Sequence, residues 1–166
     1  MKSFKNHLLI ASVLLTIVSN SYSLTDAQRK FITLIENTDK YARTPQTAIT
    51  LVHKELPDIS QQGLSNLNFT FEVDRYFDDP RYENGKQIKT STPLIHAYLV
   101  GYPDADFLHY LLTLGLNPLF PNQEGLTPLE LAELYYKDSP IPIHKAIRDL
   151  FRDWIQHKEK RKIFKK

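Results

Sequence analysis

Thr-Pro-Leu occurs twice in this 166-residue chain, at Thr92-Pro93-Leu94 and Thr127-Pro128-Leu129, 35 residues apart. Each copy carries an alanine five places after its threonine, Ala97 and Ala132. Recurrence at such an interval marks stacked structural units. One unit cannot bury its apolar face alone, so its neighbours must supply the missing surface, and about three units are needed for a stable body. The rest of the chain must therefore cover the open faces that the two copies leave.

The motif itself starts a helix. A threonine hydroxyl accepts from a free N–H of the first turn, and a proline in the next place gives up only an N–H that would be unpaired anyway. Thr127 and Glu130 also have capping-box spacing. Helices are expected over 93–100 and 128–136. Each precedes a second helical pattern. Phe107, Leu108, Leu111 and Leu112 share a face over 104–114, with Gly115 placed for a left-handed C-cap. Ile143, Ile147, Leu150, Phe151, Trp154 and Ile155 continue the spacing in a longer closing helix.

The N-terminal part supplies a third pair of helices. Phe31, Leu34 and Ile35 share a face within 26–38, and Ala48, Leu51, Val52 and Leu56 do so after Thr44-Pro45. Between this pair and the first motif, 57–89 does not repeat. Residues 68–73 alternate like a short strand, and 74–85 is polar, aromatic and turn-rich. Loops of this length inside a domain usually carry function or are disordered. The aromatic content argues for an enlarged finger or hairpin.

Thr92-Pro93-Leu94-Ile95-His96-Ala97 and Thr127-Pro128-Leu129-Glu130-Leu131-Ala132 resemble the ankyrin signature. Leu111-Leu112-Thr113-Leu114-Gly115-Leu116-Asn117-Pro118 resembles the stretch that closes an ankyrin unit, and 121–125 resembles the finger loop leading into the next. Ile95 and His96 depart from the family's His and Leu, Thr90 replaces its glycine, and the loops at 101–107 and 136–142 are swollen. The resemblance covers 90–155. It implies an all-α fold: a short ankyrin-repeat solenoid with units at 90–122 and 123–157, a degenerate helix pair at 24–57, and a long hairpin-like insertion at 58–89.

The resemblance also implies how the chain would act, since ankyrin proteins bind other proteins through finger loops and the concave face of their first helices. Carried onto this sequence, the variable loop positions are Ile88, Lys89, Ser91, Gln123, Glu124 and Leu126. The variable helix positions are Leu99, Val100, Leu134 and Tyr135. Several are apolar where a solvated surface would be polar. They are either interface anchors or positions that the 57–89 insertion folds back to cover. Tyr76, Phe77 and Tyr82 make that insertion a contact loop of its own.

The first 23 residues read as a secretory leader: Lys2 and Lys5, an 11-residue apolar run over 8–18, then Ser21-Tyr22-Ser23. That run is short for a membrane span of about 20 residues. The expected product is exported, periplasmic or secreted, with no stable membrane anchor after cleavage. Beyond it, 24–157 carries 13 basic and 18 acidic residues, a net of −5, whereas 158–166 is a basic tail. The tail reads as a solvated terminus, with an anionic surface as its alternative contact. The absence of cysteine excludes thiol catalysis and thiolate metal sites.

No H-E-x-x-H pair, nucleophile elbow or glycine-rich phosphate loop occurs. The five carboxylates within 72–83 lack EF-hand spacing, and Arg75 and Arg81 offset them, so a solvated, internally paired loop is expected rather than a calcium site. His96 and His109 fall on the two helices of one unit and are expected to be structural. Asn68-Phe69-Thr70 forms a glycosylation sequon. The expectation is a monomeric, non-enzymatic protein that binds another protein, with no cofactor, metal or nucleic acid. Small exported proteins of this kind include immunity proteins that neutralise a secreted toxin, and host-directed effectors. A hydrolase using 57–89 is the alternative from another class.

Overall fold

In the computed structural model the elements run α1 (Asp26–Tyr41), α2 (Pro45–Gln61), β1 (Phe71–Asp78), β2 (Gln87–Ser91), α3 (Pro93–Leu99), α4 (Ala105–Thr113), α5 (Pro128–Asp138) and α6 (Pro142–Ile163). The structure describes residues 23–81, 86–101 and 103–163, with the backbone alone at 74–77 and 159–163. The leader assigned to 1–23 thus lies outside the described residues except for Ser23. Among them no helix is long and apolar enough to cross a membrane.

The helices pair in chain order, α1 with α2, α3 with α4 and α5 with α6. The pairs then stack like on like: α1 against α3 and α3 against α5 in one layer, α2 against α4 and α4 against α6 in the other. The core runs through this stack without a break, from Phe31 and Ile35 of α1, through Ile95, Phe107 and Leu111, to Ile147 and Phe151 of α6. The helix pair at 24–57 therefore supplies the surface that the two later pairs need.

Threonine opens four of the helices. Thr25 and Thr44 form full capping boxes with Gln28 and Thr47. Thr92 accepts from the Ile95 N–H at 3.2 Å and Thr127 from the Glu130 N–H at 3.1 Å. Only the threonine half of the box expected at Thr127 forms. At the other end of α4, Gly115 has φ of 106°. Its N–H donates to the Leu112 carbonyl and that of Leu116 to Leu111, the two bonds of a Schellman stop.

Three elements differ from the sequence expectation. Helix α2 continues past Pro57, because Ile59, 5 % exposed, lies on the same face as Ala48 and Val52 and is buried with them. The strand expected at 68–73 lies at Phe71–Asp78 and pairs antiparallel with β2; the fold is mostly helical, consistent with the all-α expectation, with one small two-stranded sheet. Phe71 faces Ser91 and Glu72 faces Thr90, and then Phe77 faces Ile88. Four residues of β1 thus oppose Lys89 alone, and the register shifts there. Finally, the basic segment after His157 continues α6 as far as Ile163 instead of fraying.

Asn68 anchors the stretch ahead of the hairpin. Its Nδ2 donates to the Gly115 carbonyl at 3.0 Å and its Oδ1 accepts from the Asn117 N–H at 2.8 Å. The sequon amide is thus engaged in closing the chain over the end of α4.

Gly101 lies where α1 and the end of α3 meet closely. A Cβ there would lie 3.0 Å from the Ala97 carbonyl oxygen and 3.1 Å from Ile35 Cγ2. Backbone and a buried core side chain cannot both retreat. Gly101→Ala is expected to lower stability by about 1–3 kcal/mol, as overpacking does, measured by urea denaturation. An unchanged midpoint would show that α1 and α3 are not held so tightly.

Candidate functional site

The hairpin is fastened to the turn that precedes α5, and Thr90 is the fastening point. Its N–H donates to Glu124 Oε1 at 3.1 Å, and its hydroxyl donates to the other carboxylate oxygen. That hydroxyl also accepts from the Gln123 N–H at 3.0 Å, while its carbonyl accepts from Asn122 Nδ2 at 2.9 Å. Thr90 and Asn122 are each 4 % exposed. The Lys89 N–H adds a further bond to Glu124 at 3.1 Å. Where the resemblance implied glycine, a threonine thus joins one unit to the next.

A second tie lies nearer the hairpin tip. Asp79, 1 % exposed, receives Arg81 in two-pronged fashion, Nε at 2.9 Å and Nη2 at 2.6 Å, and Arg81 Nη1 donates to the Glu124 carbonyl at 3.2 Å. Burial disfavours the Asp79 carboxylate, but the Arg81 bonds and the Arg81 and Lys86 charges outweigh it and hold the carboxyl below its ordinary value. This carboxylate belongs to the insertion expected to be internally paired, and it is paired.

With α3 and α5 held in this relation, their C-terminal ends and the start of α6 enclose a pocket of about 200 Å³. It is lined by Tyr98, Leu99, Pro103, Tyr135, Ile143 and His144. Three rings meet there edge to face: Tyr98 to Tyr135 at 5.7 Å, Tyr135 to His144 at 5.5 Å and Tyr98 to His144 at 6.3 Å between centroids. His144 Nδ1 faces the Ser139 and Tyr135 carbonyls at 2.9 and 3.3 Å. It therefore carries the proton, and Nε2 of the neutral ring is an acceptor.

Tyr98 in that lining is buried, 6 % exposed, and its hydroxyl has no hydrogen-bond partner. Burial pushes its phenol up, with the Tyr135 phenol adding to the effect, so it stays neutral. Burial also pushes Tyr135 up, and the Asp78 carboxylate adds to that shift.

The thirteen residues expected to contact a partner divide sharply. Leu99 and Tyr135 come together in the pocket, and Leu134 is half-buried beside the core. Lys89 and Gln123 are exposed. Ile88, Ser91, Val100 and Leu126 are corrected: at 2, 2, 6 and 0 % exposed, they present no side chain to a partner, because the adjoining strand or unit covers them. Glu124 is half-buried, with its carboxylate engaged by Lys89 and Thr90. Tyr76 and Phe77 lie in β1, where only the backbone is described, and Tyr82 lies outside the described residues.

The histidines serve different layers. His96, 4 % exposed, pairs through Nε2 with Glu36 at 3.1 Å and stacks edge-on with Phe71, whereas His109 meets Trp154 across α4 and α6. Sequence reasoning overlooked the larger groove of about 580 Å³ there, lined by His109, Leu116, Trp154, His157 and Lys158 among others. The basic residues so near the apolar stripe of α6 were its only signal. It also overlooked Tyr98 and His144. Among the described residues no three His, Asp or Glu side chains gather so as to hold a metal ion.

Compared with family models, with curated proteins and with solved structures, the chain matches none.

Two outcomes test this geometry. A buried hydroxyl without a partner costs about 1–3 kcal/mol, so Tyr98→Phe is expected to leave the folded state equally stable or more stable. Loss of stability in that variant would mean that the hydroxyl is used within the fold. Asp79 titrates below its unfolded value, so its contribution is complete above the ordinary 3.8 and fades as pH falls through the lower folded value. The stability gap between native protein and Asp79→Asn, read by urea denaturation, should therefore be constant at neutral pH and narrow below about pH 4.

Proposed function

We propose that this chain is a small exported protein of the ankyrin type that works by binding another protein. Three stacked helix pairs, with Thr-Pro-Leu opening corresponding helices in two of them, support the ankyrin reading. The observation that carries binding is the convergence of Leu99 and Tyr135, chosen from two successive first helices, on one aromatic pocket at the edge of the stack. Rigid aromatic side chains in a preformed recess suit interface anchors, which lose little conformational freedom when a partner docks. Lys89 in β2 and Gln123 in the turn before α5 are exposed polar positions at the other end of the same two helices. The net charge of −5 over 24–157 selects for a partner with a basic face. The narrower form of this reading is an inhibitor that neutralises a secreted toxin, resting on the leader-like N-terminus together with the binding face.

The test is affinity capture with the native chain from the exported fraction of its host, repeated with Leu99→Glu and, as an off-site control, with Leu119→Glu; Leu119 is 47 % exposed in the loop after α4. The expected result is one protein held by the native chain and the control, and lost at least about fivefold by a folded Leu99→Glu, the size of an anchor residue's effect. No stable partner, or capture indifferent to Leu99→Glu, would sink the proposal.

A further inference from the structure

We propose that the pocket between α3, α5 and α6 is the receptacle for one basic side chain of the partner, an arginine or a lysine, gripped by Tyr98, Tyr135 and His144. The inference rests on the binding reading above and narrows it to a chemistry.

Size comes first. A recess of about 200 Å³ lies below the range of roughly 300–1,000 Å³ typical of small-molecule pockets. It has room for a single side chain. Its walls divide into an apolar part, Leu99, Pro103 and Ile143, and the aromatic part, Tyr98, Tyr135 and His144. The three rings stand at 70–86° to one another. Apolar walls suit the methylene stem of arginine or lysine. Ring faces of tyrosine suit its charged head, which the ring quadrupole attracts.

The unfilled polar capacity points the same way. Tyr98, one wall of the recess, keeps a buried hydroxyl with no partner. The fixed tautomer of His144 leaves Nε2 as an acceptor. An aliphatic occupant would leave both unmet, whereas a guanidinium or ammonium brings several donors.

A carboxylate could also take a bond from Tyr98, so charge must decide. Asp78 lies at the end of β1 with its side chain exposed, close enough for its field to hold back ionisation of Tyr135. The charge balance over 24–157 has the same sign.

The test follows the Tyr and His ring signals of the leaderless chain by NMR during titration with N-acetyl-arginine methylamide. N-acetyl-glutamate methylamide and N-acetyl-norleucine methylamide serve as comparison probes. The arginine probe is expected to saturate shifts at Tyr135 and His144 with a millimolar Kd, on the order of 1–50 mM for so small a ligand. The other two probes should not saturate them. Asp78→Asn, an exposed change that leaves the fold intact, should weaken the arginine probe about two- to fivefold. Tyr98→Phe should weaken it by a similar factor while the protein stays folded.

Equal or stronger response to the glutamate or norleucine probe would overturn the proposal. So would the absence of saturation by arginine, or indifference to both variants. The two readings fail separately. If Leu99→Glu abolishes partner capture while the arginine probe is silent, the binding function stands and this inference falls. If the probe binds but capture ignores Leu99→Glu, the recess is real and the partner docks elsewhere.

Discussion

Every polar group of Thr90 is committed to the turn of the following unit, and the placement of everything else in the C-terminal half depends on that junction. Its N–H, hydroxyl and carbonyl meet Glu124, Gln123 and Asn122, with Thr90 and Asn122 themselves buried. Buried hydrogen bonds contribute modestly when made but cost their full desolvation when left unmade, so the turn cannot slide against the strand. Because Thr90 leads directly into α3 and the turn leads directly into α5, the two helices are placed at a defined offset. That offset brings Tyr98 and Leu99 beside Tyr135.

The same junction explains why the insertion is not a loose loop. The β1–β2 hairpin is a marginal structure alone, as two-stranded hairpins are in water. It is held at its base by Thr90 and near its tip by the Asp79–Arg81 pair reaching the Glu124 carbonyl. At its start, Phe71 packs against His96 of α3. The insertion thus covers part of the first-helix layer and leaves the α3–α5 end open. Among the variable positions, Ile88, Ser91, Val100 and Leu126 are buried, while Leu99 and Tyr135 line the recess at that end.

What could be read along the chain was whatever depends on neighbours within about four residues. Thr92 and Thr127 announce helix starts because a cap bond spans three residues, and Gly115 announces a stop because only a left-handed residue closes α4 there. Apolar spacing in 26–38 and 143–155 located α1 and α6. Errors arose where distant contacts outweighed local preference. Pro57 would end an isolated helix, yet burial of Ile59 carries α2 past it. Strand β1 was placed a few residues early because its register comes from pairing with β2. Tyr98 and His144 were missed because neither lies in a pattern of its own, and their significance comes from each other.

The sequence by itself determined that this chain is built from successive helix pairs, where most of them begin, and that a non-repeating segment interrupts their rhythm. It also set an acidic body beside a basic end. Only the tertiary structure decided which residues of the repeated positions face outward, because a position in one unit is covered or exposed by the next unit, some 35 residues away. Apolar character marks a core residue and an interface anchor alike. Ile88 and Leu126 differ from Leu99 in burial, not in chemistry, and burial is settled by contacts that no local spacing encodes.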